Sequence, residues 1–430
     1  MSSNEHTNTF LKLKLDIASS YGPDFRARIT KAWAEIIDEL GKVSERVSVK
    51  GPEYIPQVKF SELASLPPER ADEIRRIGTV VIRDVVDDKD ARGWQDSLKE
   101  FVKTNPDVPG FPAKDKQFFE LYWTKPQVEA RSHPNVLAAS AWLNNLYRDS
   151  SPSPMEGVDL SAPLTYADRF RIRHPGGGWT AFSPHIDGGS IERWQDPAFR
   201  SCFDDILTGD WQKHDPFALR GRLEARSSLY DRANQASVFR TFQGWLAMSE
   251  TAPTEGTLKV FPDLLLSNAY IILRPFFRPL VPVNSPGILD SKNWEYDISY
   301  ADFPGIFALD KGFGGPRPTP ESHPHLMLEQ TMTSVPKVMP GDTVFWHCDV
   351  VHSVEVDHTG QEDSAVMYIP AVPTTPINKA YVEKQKETFL KSTSPPDYPK
   401  CSQAFAGIAR EVGDLLSPQG VLAMGLTAGS

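Results

Sequence analysis

The sequence predicts an α+β protein: a β-sandwich or barrel of short strands, with helices at both ends and two long insertions. Three observations point there. Apolar residues recur at helical spacing in the first 150 positions, short extended runs divided by Gly and Pro begin at Tyr166, and helical spacing returns after Pro376. With 430 residues, 40% of them hydrophobic and 24% charged, the chain can bury a large core.

The stretch "GPDFRARITKAWAEIIDELGK" places Phe25, Ile29, Trp33, Ile36, Ile37 and Leu40 on one helical face and predicts a helix closed by Gly41. "TVVIRDVV" (79–86) predicts a strand, and a helix opening near Asp88 carries Trp94, Leu98, Phe101 and Val102. Another helix is expected from Asn135 through Leu143 and Leu146. Residues 1–70 therefore read as a helical extension preceding a single domain at 71–425.

After "SPSPMEG" the strand-like runs are "ADRFRIRHPGGG", "VFRTFQGWLAMS", "GTLKVFP", "DTVFWHCDVVHSVEV" and "AVMYIPAVP", which place the β core at about 166–376. Two insertions interrupt it, at about 190–236 (charged and aromatic) and 264–334 (rich in Pro), long enough to cover a pocket. Two C-terminal helices are expected over about 377–418, one with Tyr381, Val382 and Phe389, the other with Phe405, Ile408, Val412 and Leu415.

The formal charge of −10 disfavours nucleic acid and anionic lipid as partners, because those need clustered Lys and Arg. Three scattered cysteines form no disulfide framework and no thiolate zinc site. The polar N-terminus lacks the pattern of a secretory leader, and no stretch has the length of a membrane span. The expectation is a cytoplasmic protein acting on a small molecule, of unstated oligomeric state.

"SPHIDGGS" (183–190) sets His185 and Asp187 two positions apart. On an extended segment both side chains leave the same face and can grip one ion, and the glycines behind them let the chain turn away. A third ligand is sought in "MPGDTVFWHCDVVHSVEV", where His352 opens a second apolar run and His347 sits inside the first. Two imidazoles and one carboxylate suit Fe(II) and leave open coordination positions. His347 is the rival to His352, with a second reading as a buried histidine.

"HID" followed by "PGDTVFWHCDVVHSVE" resembles the double-stranded β-helix Fe(II)/2-oxoglutarate oxygenases, particularly the phytanoyl-CoA hydroxylase-like branch. "IGTVVIRDVV", "FRTFQGWLAMSETAPTEGTLKVFP" and "VMYIPAVP" extend the resemblance, over about residues 70–425, to a bacterial and fungal family catalogued as a domain of unknown function. The resemblance implies a jelly-roll, cupin-like core and His185, Asp187 and His352 as catalytic iron ligands. It also implies Fe(II), 2-oxoglutarate and O2 as cofactor and cosubstrates, with succinate and CO2 as coproducts.

Many members of that superfamily carry an Arg or Lys a short way past the distal histidine to pair with the far carboxylate of 2-oxoglutarate. "SVEVDHTGQEDSAVMYIPAVPTTPIN" contains neither. Arg171, Arg173, Arg240 and Arg274 could supply the charge, since a guanidinium forks onto a carboxylate. Arg240 is ranked first and Arg173 second for the cosubstrate. Arg171, which shares a face with Arg173, is assigned to a substrate carboxylate. The expected reaction is oxidation of an aliphatic carbon of a small carboxylate-bearing metabolite such as an amino acid, by hydroxylation, desaturation or oxidative ring closure. The alternative is a jelly-roll metal-binding or regulatory protein without oxygenase chemistry. Trp245, Phe242 and Phe345 read as core aromatics, His323 and His325 as loop histidines, and His214-Asp215 as a helix entry.

Overall fold

The computed structural model of the chain describes residues 3–149, 151, 153–415 and 417–427. It is a mixed α+β protein built on a large, mostly antiparallel sheet. Among the described residues that sheet has eight strands in the order Gln57–Lys59, Thr79–Arg83, Thr343–His347, Phe242–Ala247, Ser364–Tyr368, Phe170–Arg173, Phe118–Phe119 and Gly110–Phe111. Every residue of Phe242–Ala247 and of Thr343–His347 is buried, so neither strand shows polar alternation. Both faces of the sheet are covered there.

A second sheet orders Thr333–Ser334, Leu258–Val260 and His352–Val354. Leu258 and Val260 share one apolar core with Trp245, Val344, Phe345 and Val366 of the large sheet. The candidate ligands lie at the edge of this second sheet.

Helices Ser3–Ser20 and Phe25–Lys50 precede the first strand. The second runs nine residues beyond the expected stop at Gly41. Leu40, Val43 and Val47 continue its buried stripe, and their burial outweighs the cost of about 1 kcal/mol for a mid-helix glycine. The helix ends instead at Gly51, whose φ of 53° is left-handed.

These helices are not an isolated extension. Trp33, Ile36 and Val47 form a second core with Phe199 and Phe203 of the first insertion and Tyr270, Leu273 and Trp294 of the second. Trp33 stacks on Phe277 with centroids 4.4 Å apart.

At the C-terminal end, Pro376–Leu390 is helical as expected. The stretch through Phe405 and Ile408 is not; it is irregular and contains only a short 3-10 turn at Val412–Asp414. Gly407, with φ of 82°, breaks the helical path, and Leu416 lies outside the described residues. His214 likewise follows the turn Trp211–Lys213 rather than opening a helix; the next helix is Leu219–Glu224. No helix among the described residues is long and apolar enough to cross a membrane.

Candidate metal centre

His352 is carried to its place by a strand, a turn and a second strand. Thr343–His347 pairs on one side with Thr79–Arg83 and on the other with Phe242–Ala247. The chain then reverses, with the Val350 N–H donating to the His347 carbonyl at 2.9 Å, and His352 opens a strand paired with Leu258–Val260. On its free edge His352 pairs with His185 in an antiparallel bridge. The His185 N–H donates to the His352 carbonyl and the His352 N–H to the His185 carbonyl, each at 2.9 Å.

Both imidazoles are oriented by a carbonyl two residues back. Nδ1 of His185 lies 2.7 Å from the Ser183 oxygen, and Nδ1 of His352 lies 2.9 Å from the Val350 oxygen. A proton on each Nδ1 satisfies those carbonyls and leaves each Nε2 a free lone pair. The Asp187 Oδ2 is 3.8 Å from Nε2 of His185 and 3.4 Å from Nε2 of His352. The three ligand atoms lie within 4.8 Å of one another.

The Asp187 side chain is 45% exposed, against 19% for His185 and 6% for His352, so the cluster is open on the aspartate side. Gly188 and Gly189 follow with φ of 73° and 106°, a path that side-chain-bearing residues rarely take. The Gln243 amide, oriented to satisfy both neighbours, donates to Asp187 Oδ2 at 2.9 Å and accepts from Trp346 Nε1 at 3.3 Å.

Burial and the facing His352 push the His185 imidazole down to about 4. Burial alone would raise the Asp187 carboxyl, but His185, His352 and Arg240 outweigh it and hold the group well below the usual carboxylate range. At neutral pH the set therefore offers a neutral His185 imidazole and an ionised carboxylate. Nitrogen and oxygen donors in this charge state, open on one side, fit a divalent first-row metal.

The cluster opens into a cavity of about 430 Å³. Among the described residues five arginines line it, Arg169, Arg171, Arg232, Arg240 and Arg317, against two aspartates, Asp168 and Asp187. The walls are thus cationic in a chain whose net charge is −10. Arg169 is committed to Asp168 at 2.9 Å.

Of the arginines singled out in the sequence, Arg171 and Arg240 reach this cavity and Arg173 and Arg274 do not. Arg171 is 2% exposed; one nitrogen donates to the Gly256 carbonyl at 3.1 Å and its Nε has no partner. Among the described residues the Arg240 guanidinium makes no hydrogen bond or ion pair, and it stands 5.7 Å over the Tyr166 ring. Arg173 is spent on the carbonyls of Glu355 (2.5 Å) and Val356 (2.6 Å), and Arg274 on those of Ser322 (2.6 Å) and Phe277 (2.7 Å).

His347 is fully buried and does not line the cavity; its Nε2 is 2.6 Å from the Tyr147 hydroxyl. His323 lies in irregular chain and His325 in the 3-10 turn Pro324–Leu326; both are buried, with Nδ1 of His325 3.0 Å from the Tyr270 hydroxyl. Trp245 lines the cavity, whereas Phe242 and Phe345 are core. The Cys348 thiol donates to the Arg240 carbonyl at 3.1 Å.

Among the cavity residues that escaped the sequence reading are Gln243 and Arg317. Gln243 alternates with Trp245 along a strand, a parity that would have placed both inward. Arg317 follows the hairpin Phe307–Ala308/Phe313–Gly314 of the second insertion, with its guanidinium 4.9 Å over the Phe307 ring. A proline-rich loop gave no local signal for it.

Comparison with known proteins places the chain. The Gig2-like family model matches residues 6–426. YbiU of Escherichia coli (strain K12) is 31% identical over 389 residues, 86% of each chain. The crystal structure of GlcNAc Inducible Gene 2, GIG2 (DUF1479), from Candida albicans superposes with a TM-score of 0.85 at 32% identity, covering 97% of this chain and 89% of that one. A protein of Salmonella typhimurium LT2 superposes with a TM-score of 0.81 at 26% identity over 99% and 98% of the two chains. A match of this extent identifies the chain as a member of the Gig2-like family.

Proposed function

We propose that the protein is a non-haem Fe(II)/2-oxoglutarate-dependent oxygenase acting on a small carboxylate-bearing metabolite. The observation that carries this reading is the open His185/Asp187/His352 cluster at the wall of a cationic cavity. The strand order supports a double-stranded β-helix: one sheet contains Phe170–Arg173, Ser364–Tyr368, Phe242–Ala247 and Thr343–His347, and the other joins His352 to His185. The Salmonella relative is described as a candidate oxidoreductase, which supports redox chemistry.

In this reading His185, Asp187 and His352 hold the iron. Bound there, Fe(II) supplies the redox chemistry that couples decarboxylation of 2-oxoglutarate by O2 to oxidation of an aliphatic carbon. Arg240, whose guanidinium makes no hydrogen bond or ion pair among the described residues and acts electrostatically on Asp187, pairs with the far carboxylate of 2-oxoglutarate. Arg171, buried and without an ion pair among the described residues, takes a carboxylate of the substrate, since an unpaired buried cation is costly until a ligand neutralises it. Gln243 and Trp346 keep the Asp187 carboxylate turned toward the imidazoles. Trp245 and Tyr368 wall the cavity against water.

Hydroxylation, desaturation and oxidative ring closure are all open to such a site, and each yields one succinate and one CO2 per substrate oxidised. The test is a screen of amino acids and simple organic acids for substrate-stimulated succinate release, with products identified by mass spectrometry. Stimulation by a carboxylate-bearing compound is expected. Stimulation only by an uncharged hydrophobic compound or by a peptide would remove the role given to Arg171.

A further inference from the structure

The first insertion sends two arginines beneath the candidate ligands, and both reach Asp349. Nη1 of Arg193 donates to Asp349 Oδ1 and Nη2 of Arg222 to Oδ2, each at 2.5 Å, with Asn268 adding a bond to Oδ2 at 3.3 Å. The Arg193, Arg222 and Asp349 side chains are 2%, 7% and 1% exposed. Phe199 packs against both guanidiniums, 5.0 Å from Arg193 and 5.8 Å from Arg222. Withdrawing three charges from water is expensive, and an apolar packing of the same volume would serve stability as well.

Arg193 has a second use. Its Nη2 donates to the backbone carbonyl of Asp187 at 2.9 Å, just before the left-handed Gly188 and Gly189. Asp349, for its part, sits in the turn closed by the Val350 N–H and the His347 carbonyl. The carbonyl of that same Val350 orients the His352 imidazole through Nδ1. A single guanidinium therefore ties the backbone of one ligand to the turn that aims another.

We propose that Arg193, anchored by Asp349, is a positioning residue that holds the Asp187 and His352 segments at metal-binding separation. The proposal rests on the reading of His185, Asp187 and His352 as a metal site. Arg222 is the internal comparison, because it makes an equally buried pair with Asp349 but does not touch the backbone of a ligand.

The test is titration of the full chain with Co(II), followed by visible absorption, alongside thermal melting. Arg193→Lys keeps the charge but replaces the planar fork by a single ammonium, and should weaken Co(II) binding by roughly 10- to 100-fold, the range for partners that orient metal ligands. Arg193→Gln should do the same. Arg222→Lys should lower the melting temperature while leaving Co(II) affinity within about threefold of the parent, well outside that range. If Arg193→Gln does not fold, Arg193→Lys carries the comparison. Parental affinity in Arg193→Lys, or an equal loss in Arg222→Lys, overturns the proposal and leaves a purely structural charge cluster. A parent protein that takes up no Co(II), or whose uptake survives Asp187→Ala, overturns the metal-site reading itself.

Discussion

His185 and His352 exchange both of their backbone hydrogen bonds, each 2.9 Å long, although they stand 167 positions apart in the chain. Two-residue periodicity makes this pairing decisive. A slip of one position on either segment would turn an imidazole to the opposite face and dissolve the cluster. The outer strand of the second sheet therefore acts as a register gauge for the site.

In the proposed reaction Arg240 takes the far carboxylate of 2-oxoglutarate and Arg171 that of the substrate, and the two roles separate kinetically. Arg240→Ala should raise the 2-oxoglutarate requirement by about 10- to 150-fold, corresponding to the roughly 1.5–3 kcal/mol of a charged hydrogen bond, with little change in metal affinity. Arg171→Ala should raise the KM for the organic substrate instead. The check is steady-state succinate release with each reactant varied separately. The reverse pattern would exchange the two assignments.

Acid should destabilise the fold through its buried histidines. Burial pushes His214, His325 and His347 down to about 3, and His323 well below its ordinary value of 6.5. Between about pH 6.5 and 3 the unfolded chain takes up protons that the folded protein refuses. Stability present above pH 6.5 is thus lost as pH falls, by up to about 1.4 kcal/mol per pH unit for each histidine. Urea unfolding at pH 7 and pH 5 should show a clear fall in midpoint. An unchanged midpoint would mean that these imidazoles reach solvent.

Part of the candidate cluster was legible locally: His-x-Asp parity paired His185 with Asp187, whereas the preference for His352 over His347 came from the family resemblance, and the structure brings His185, Asp187 and His352 together. Gln243, Arg193 and Asp349 were not, because each acts through a partner 56, 156 or 127 positions away, as Asp187, Asp349 and Arg222 are. No spacing rule records such contacts. The same limit explains the second core, where Trp33 finds Tyr270 and Phe277 across the fold. Local rules also misjudged two helices: burial carried one through Gly41, whereas Gly407 prevented another despite apolar spacing.

The two insertions, expected as covers, do different work. The second supplies the hairpin and Arg317 at the cavity, as a cover would. The first also contributes cavity residues, Arg232 to Ala236, but its short helices carry Arg193 and Arg222 into the interior behind the ligands. It is a brace as much as a wall.

Anaerobic Fe(II) binding measured in the parent, His352→Ala and His347→Gln proteins tests the central claim most directly. The account predicts one Fe(II) per chain in the parent, with a visible charge-transfer band on addition of 2-oxoglutarate. Both signals should vanish in His352→Ala and persist in folded His347→Gln. Iron retained by His352→Ala and lost from His347→Gln would contradict the assignment of the site.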